Sequence, residues 1–254
     1  MNVSIAQEQI LVLILIFVRI SAFFVLLPVI NFIKLPVVVR ILLAVALAVL
    51  IKYSLDFPPI FKELNAVYIF KIIIEASIGA MMAFGVLAVF SIFQLAGRIL
   101  DFQMGLAVAS QIDPISKTQS PMIGTLLFYL GSIIFILEGG LHVFVKTLFT
   151  SFELIPLNTM EYQLPVEAMI SLFGLVFSLA FILAAPVIVT LLLIDIALSF
   201  SARFMPQMNI FILSIPVKIY IGFILLAMSV LWMEPILERI YQALFDYWQA
   251  ALRG

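Results

Sequence analysis

Cysteine is absent from this chain, histidine occurs once, and Asp, Glu, Lys and Arg together make up only 11% of 254 residues. Without thiols there is no disulfide framework and no thiolate nucleophile. The single imidazole, His142, leaves little for a metal centre. Soluble domains carry about a quarter charged residues, so this chain could not cover a water-facing surface. A net charge of −1 supplies no basic field for nucleic acid and no polybasic lipid-binding tail. A P-loop, a nucleotide-binding glycine pattern and a Ser/His/Asp signature are also missing. No cofactor, metal or enzymatic activity is expected. The opening MNVSIAQEQ has no Lys or Arg, unlike the n-region of a cleaved signal peptide; the first apolar run is expected to be retained.

What is present is grease. The chain is 65% hydrophobic with a mean hydropathy of +1.30. Apolar runs lie at 10–33, 35–51, 66–97, 122–149, 168–200 and 208–233. A spanning helix needs roughly 20 apolar residues; the second run is short for that, the third and fifth long. The expectation is an all-α membrane protein of about six long hydrophobic helices in hairpins. In the tail from 234, Ile236, Ile240, Leu244, Tyr247, Trp248 and Leu252 recur near helical spacing. They predict a C-terminal amphipathic helix lying at an interface or against a partner. Lys34, Arg40, Arg98, Lys117 and Arg203 assign their loops to the cytoplasm, and the acidic loop 146–168 to the outside. Both termini then fall outside, although Lys52 and Lys62 pull the other way.

Small residues four apart (Ala44 and Ala48, Ala76 and Ala80, Gly79 and Ala83, Ala180 and Ala184) predict close helix approach. Arg19, Arg40, Lys71, Glu75, Glu138, His142, Asp195 and Lys218 fall within or at the ends of apolar runs. A mid-bilayer charge costs about 2.5–3.5 kcal/mol on insertion scales, so these must pair, face protein or face water. Lys71 with Glu75, and Glu138 with His142, have the spacing of pairs on one helix face. A metal at the second pair would need a further ligand. Three readings stay open for the charges: an ion or proton pathway, salt bridges between subunits, and segments outside the bilayer. No inverted repeat supports a transporter. Pro186 and Pro216 read as kinks in one hairpin.

The stretch DFQMGLAVASQIDPISKTQSP, 101–121, interrupts two apolar runs with small, weakly charged residues. On its residues alone it is either a cytoplasmic turn capped by Asp113-Pro114 or a plug in a pore. RFMPQMN is a hairpin hinge: Pro206 stops one helix and Asn209 can cap the next, with Gln207 between. Asp195, two turns before Arg203, is a candidate for a charge pair with a neighbour.

Three segments together carry a family resemblance. They are GRILDFQMGLAVASQIDPISKTQSP from Gly97, GGLHVFVKTLFTSFELIPL from Gly139, and ARFMPQMNIFILSIPVK from Ala202. In this order the chain resembles the FliR family, a subunit of the flagellar type III export gate, and its SctT-type injectisome counterparts. One departure is Leu141, where many members have a histidine directly after the glycine pair. That leaves His142 as the candidate.

The resemblance implies a FliP-like portion, 1–165, joined to a FliQ-like hairpin with the amphipathic helix, 166–254. It implies assembly with FliP-like and FliQ-like subunits, FlhB-like and FlhA-like neighbours, and passage of unfolded flagellar proteins at the basal body in the bacterial inner membrane. No nucleic acid is implied, and membrane lipids surround the assembly. Under it, 102–114 becomes the pore plug, with Phe102, Met104, Gly105, Leu106, Ala107, Val108, Ala109, Asp113 and Pro114 as its residues. The charges Arg19, Lys71, Glu75, Glu138, His142, Asp195, Arg203 and Lys218 become intersubunit or buried groups. An injectisome export gate subunit, a small-molecule or ion transporter, and a scaffold that lines no pore are the alternatives.

Overall fold

A computed structural model describes residues 2–27, 36–55, 57, 66–106, 121–157, 159, 162–204, 210–230 and 232–253. Among them there are eight helices and no strand: α1 (Asn2–Leu26), α2 (Val37–Ser54), α3 (Ala66–Gln103), α4 (Met122–Leu137), α5 (Gly140–Leu154), α6 (Val166–Ala202), α7 (Ile210–Val230) and α8 (Glu234–Arg253). Four of these, α1, α2, α3 and α6, are long and apolar enough to cross a membrane. The number rises to six if α4 with α5, and α7 with α8, each make one broken span. The protein is an all-α membrane protein.

Two differences from the sequence pattern have local causes. The run 122–149 is two helices. Gly139, at φ 82°, takes the left-handed conformation that ends one helix and opens the next. Glu138 and His142 therefore sit on either side of a break, both exposed, and form no ion pair. By contrast α6 and α7 continue through Pro186 and Pro216. At 38 and 37 residues, α3 and α6 are each about 56 Å long at 1.5 Å per residue. That is nearly twice the roughly 30 Å hydrocarbon core.

The chain forms two interleaved units, 1–88 with 136–172 and 244–254, and 89–135 with 173–243. The first is organised around a buried cation. Arg19 of α1 is fully buried. Its Nε donates to Glu75 Oε2 of α3 at 2.6 Å, Nη1 to the Ser151 carbonyl at 2.8 Å, and Nη2 to the Ile155 carbonyl at 2.9 Å. The last two acceptors belong to the end of α5, where the dipole is negative, and the Ser151 carbonyl accepts the Ile155 amide at 3.0 Å as well. The ring of Phe152 lies 4.1 Å from the guanidinium carbon. One planar, pre-organised fork thus ties α1 to α3 and to the end of α5, each of its three nitrogens donating to a different residue. Lys71, also fully buried, donates to the Thr159 carbonyl rather than pairing with Glu75.

Close packing brings the fork within reach. Gly79 of α3 lies directly on the Arg19 carbonyl, and a Cβ there would also come 2.9 Å from Ala22 Cβ. Ala44, Ala48 and Ile51 form the buried stripe of α2, while most of its Val and Leu side chains remain exposed. A helix apolar all round wants lipid or protein about it, not water.

The face of α8 assigned to an interface or partner is instead covered by the chain itself. Leu244, Tyr247, Trp248 and Leu252 are buried in the first unit. Tyr247 and Trp248 donate to the Met81 and Met82 carbonyls, each at 3.0 Å. Trp248 also meets Phe23 and Phe144 in a three-ring cluster. Tyr162 donates to the Ala251 carbonyl at 3.2 Å. In the second unit Phe90 packs on Phe93, Phe128 and Phe135 with centroids 5.6–6.0 Å apart. Tyr241 of α8 donates to the Gly131 carbonyl at 2.7 Å.

Two outcomes follow for the first unit. Arg19→Ala strands Glu75 and should cost about 3–5 kcal/mol, with Arg19→Lys recovering only part, as read by thermal unfolding in detergent. An unchanged midpoint in Arg19→Ala would refute the central role of the fork. Burial pushes the Tyr162 phenol up to about 12, while the Arg19 charge pulls it back. The unfolded value is about 10, so the stability this gives is full below about pH 10 and is lost as pH rises towards 12. The phenolate absorbance lost in Tyr162→Phe should therefore appear near pH 12, not near 10.

Candidate functional site

The interruption at 101–121 begins and ends in the second unit, and both of its ends are described. Asp101, on the last turn of α3, is buried, and its Oδ1 accepts the Ile123 amide at 3.1 Å. Position 121 stands just before α4 and is proline, which has no side-chain acceptor for the free amides of the first turn. The carboxylate of a different helix takes that place, where the helix dipole favours a negative charge. Below it, Gly97 touches the main chain of Gly124 so closely that a Cβ at 97 would lie 2.7 Å from the Ile123 carbonyl carbon. The chain leaves α3 and returns to α4 through one narrow neck, pinned by a cap and a glycine contact.

Of the residues assigned to the plug, Phe102 is 78% exposed, Met104 is fully buried, and Gly105 (φ 79°) and Leu106 are half-buried. Ala107, Val108, Ala109, Asp113 and Pro114 lie outside the described residues, as do Pro206, Gln207 and Asn209 of the hinge. Arg203 is exposed in the turn that ends α6. Arg19, Lys71 and Glu75 come together in the first unit. Asp195 forms an ion pair with Lys218, joining α6 to α7 within the chain. Glu138 and His142 stand exposed and apart from that cluster. Among the described residues no group of three His, Cys, Asp or Glu could hold a metal.

Sequence reasoning did not find Asp101 as a cap. A carboxylate at one helix end gives no sign that it serves an amide 22 residues later. It also missed Ser151, Ile155 and Thr159, whose contribution is a main-chain carbonyl and carries no residue-type signal. Gly97 was within reach, since a glycine inside an apolar helix asks for a packing reason.

The description "Bacterial export proteins, family 1" matches residues 10–244. The chain belongs to this family. It is 33% identical to the flagellar biosynthetic protein FliR of Bacillus subtilis (strain 168) over 224 residues, 86% of each chain. It is 28% identical to the Yop proteins translocation protein T of Yersinia pestis, covering 89% of this chain and 88% of that one. With the surface presentation of antigens protein SpaR of Shigella sonnei, it shares 30% identity over 57% of its own length and 56% of the relative's. The relatives of this chain are thus named for flagellar biosynthesis and for translocation, and both of its neck glycines, Gly97 and Gly124, fall inside the range matched by the family.

For the neck, Asp101→Ala should cost about 1–2 kcal/mol, the value of a lost cap. Gly97→Ala should cost more, even though alanine is the better helix former by about 1 kcal/mol, because only main-chain atoms stand in its way. Thermal unfolding of both variants in detergent gives the order, and a stabilised Gly97→Ala would mean that the two helix ends are not in contact.

Proposed function

We propose that the chain is a subunit of the flagellar type III protein export gate, the channel through which unfolded flagellar proteins cross the bacterial inner membrane at the basal body. The observation that carries this reading is the family match over residues 10–244, joined to a flagellar relative aligned over 86% of both chains. FliP-like and FliQ-like subunits complete the channel, FlhB-like and FlhA-like components adjoin it, and unfolded protein is the cargo. Residues 1–165 take the FliP-like part and 166–254 the FliQ-like hairpin. The start of α6 at Val166 supports a join there.

The exposed apolar surface supports assembly in a membrane. Phe173, Phe177 and Phe181 stand exposed at four-residue spacing on α6, and Val38, Leu42 and Val49 stand exposed on α2. Lipid or partner subunits must cover them.

A protein-conducting pore has two conflicting needs. It must hold ions when idle, and it must not grip any one passing sequence. A constriction of small and flexible apolar groups meets both, because a narrow apolar gap gates by dewetting and does not select by charge. Residues 102–114 supply such groups, and irregular backbone is tolerated at membrane depth where protein or water surrounds it. The pinned neck supports the plug over the plain turn, since a plug needs a fixed base. The hinge 203–209 serves as a contact for neighbouring FliQ-like or FlhB-like subunits, with Arg203 exposed for it. A second reading, an injectisome export gate, is favoured by the relatives named for Yop translocation and surface presentation of antigens.

Three experiments test these readings. Native mass spectrometry of a tagged copy, expressed with its neighbouring genes and extracted in mild detergent, should give one large complex containing FliP-like and FliQ-like chains; a monomer or plain homo-oligomer would sink the gate reading. Deleting 106–110 should raise the ion conductance of the cell membrane, and unchanged conductance would return the segment to an ordinary turn. Restored motility in a strain lacking its own flagellar counterpart decides for the flagellum over the injectisome.

A further inference from the structure

Met104 follows the last residue of α3. Its amide bonds the Leu100 carbonyl at 2.8 Å, and Gly105 then turns the chain, closing on the Phe102 carbonyl at 3.1 Å. The thioether points away from this turn and is fully buried. It is α7 that receives it. A Cβ at Gly222 would lie 2.6 Å from Met104 Cε, 2.8 Å from Cγ and 2.9 Å from Sδ. Seven residues earlier on α7, Ile215 stands beside the next residue of the turn, with two side-chain carbons 3.8 Å from where a Gly105 Cβ would be. Seven residues are close to two helical turns, so 215 and 222 lie on one face of α7. Consecutive residues of the turn, 104 and 105, rest on that face.

Glycine inside a helix is a poor choice on propensity, and alanine would hold α7 better. The glycine stands where Met104 enters. Methionine adapts to irregular gaps, but the overlap extends back to Cγ, so turning the terminal methyl alone would not clear an added Cβ.

We propose that Gly222 is a positioning residue for the gating segment: the notch it leaves in α7 seats Met104 and fixes where the chain departs into residues 107 onward. This rests on the reading of 102–114 as the gate and deepens it by naming α7 as the element that holds the foot of that segment. A shift of α7 along its axis carries the foot with it, so the hairpin of α6 and α7 and the gate are mechanically joined.

The test uses cells carrying the complete export apparatus and this cysteine-free chain with one reporter, Leu106→Cys. Maleimide modification of the reporter and membrane ion conductance are both measured in the parent, Gly222→Ala, Gly222→Leu, and Gly222→Ala combined with Met104→Ala. Either Gly222 variant should speed modification by about tenfold or more, the factor that accompanies one decade in a local opening equilibrium, and should raise conductance. Adding Met104→Ala to Gly222→Ala should return both readouts towards the parent, which a general loss of helix stability would not do. Unchanged modification in both Gly222 variants overturns the proposal, as does the absence of rescue. If deleting 106–110 leaks ions while a Gly222 variant with accelerated modification does not, the positioning role is overturned. If the deletion itself does not leak, the gate reading is what fails, and the modification rates still decide whether Gly222 seats Met104.

Discussion

The first unit depends on a guanidinium placed where no water can reach it. Burying a lone charge is among the costliest events in folding, and the geometry around Arg19 is arranged to offset that cost. Glu75 supplies the countercharge, the end of α5 supplies two carbonyls with the negative pole of a helix, and Phe152 supplies a ring face. Neither Glu75 nor the end of α5 can move far without breaking a charged hydrogen bond. The fork therefore fixes α1 against α3 and sets where α5 stops. Lys71 holds the chain beyond α5 through Thr159. Apolar packing between lipid-facing helices has no preferred register, because one greasy contact is much like another. A directional charge gives the register that grease lacks.

The pinned neck in the second unit obeys the same logic at smaller scale. Cap and glycine contact work on the same few residues: Gly97 brings α3 against α4, and only then does the Asp101 carboxylate reach the first turn of α4. This member of the family builds fixed points from polar groups and leaves much of its helix surface apolar for lipid or neighbours.

Much of this was legible beforehand. Length and hydropathy gave the helices, because a spanning helix needs a long apolar run and little else. The small-residue spacing located seams that are buried, at Ala44 with Ala48 and at Ala180 with Ala184. Pairing was not legible. Lys71 and Glu75 have the spacing of a helix-face pair, yet Glu75 turns to Arg19, 56 residues away, and Lys71 to a main-chain carbonyl. Spacing along one helix reports only which groups are near in that helix, and a better donor on another helix outcompetes it. The amphipathic pattern of α8 announced a covered face but not the cover, since the same stripe suits lipid, a partner or the chain itself. The break at Gly139 hid inside an apolar run because hydropathy is blind to φ. For the plug and the hinge, the sequence supplied composition, and the family resemblance supplied the role.

The order of the chain gives the Arg19 fork a consequence in time. Glu75 follows Arg19 by 56 residues, and the Ser151 carbonyl follows it by 132. At about 5–20 residues per second, the cation waits about 3–11 s for its carboxylate and about 7–26 s for its carbonyls. For that interval α1 is a greasy helix with a naked charge near its C-terminal end, unfit for the centre of the bilayer. Its final seating has to wait for α3 and α5, so the helix made first is among the last to be settled.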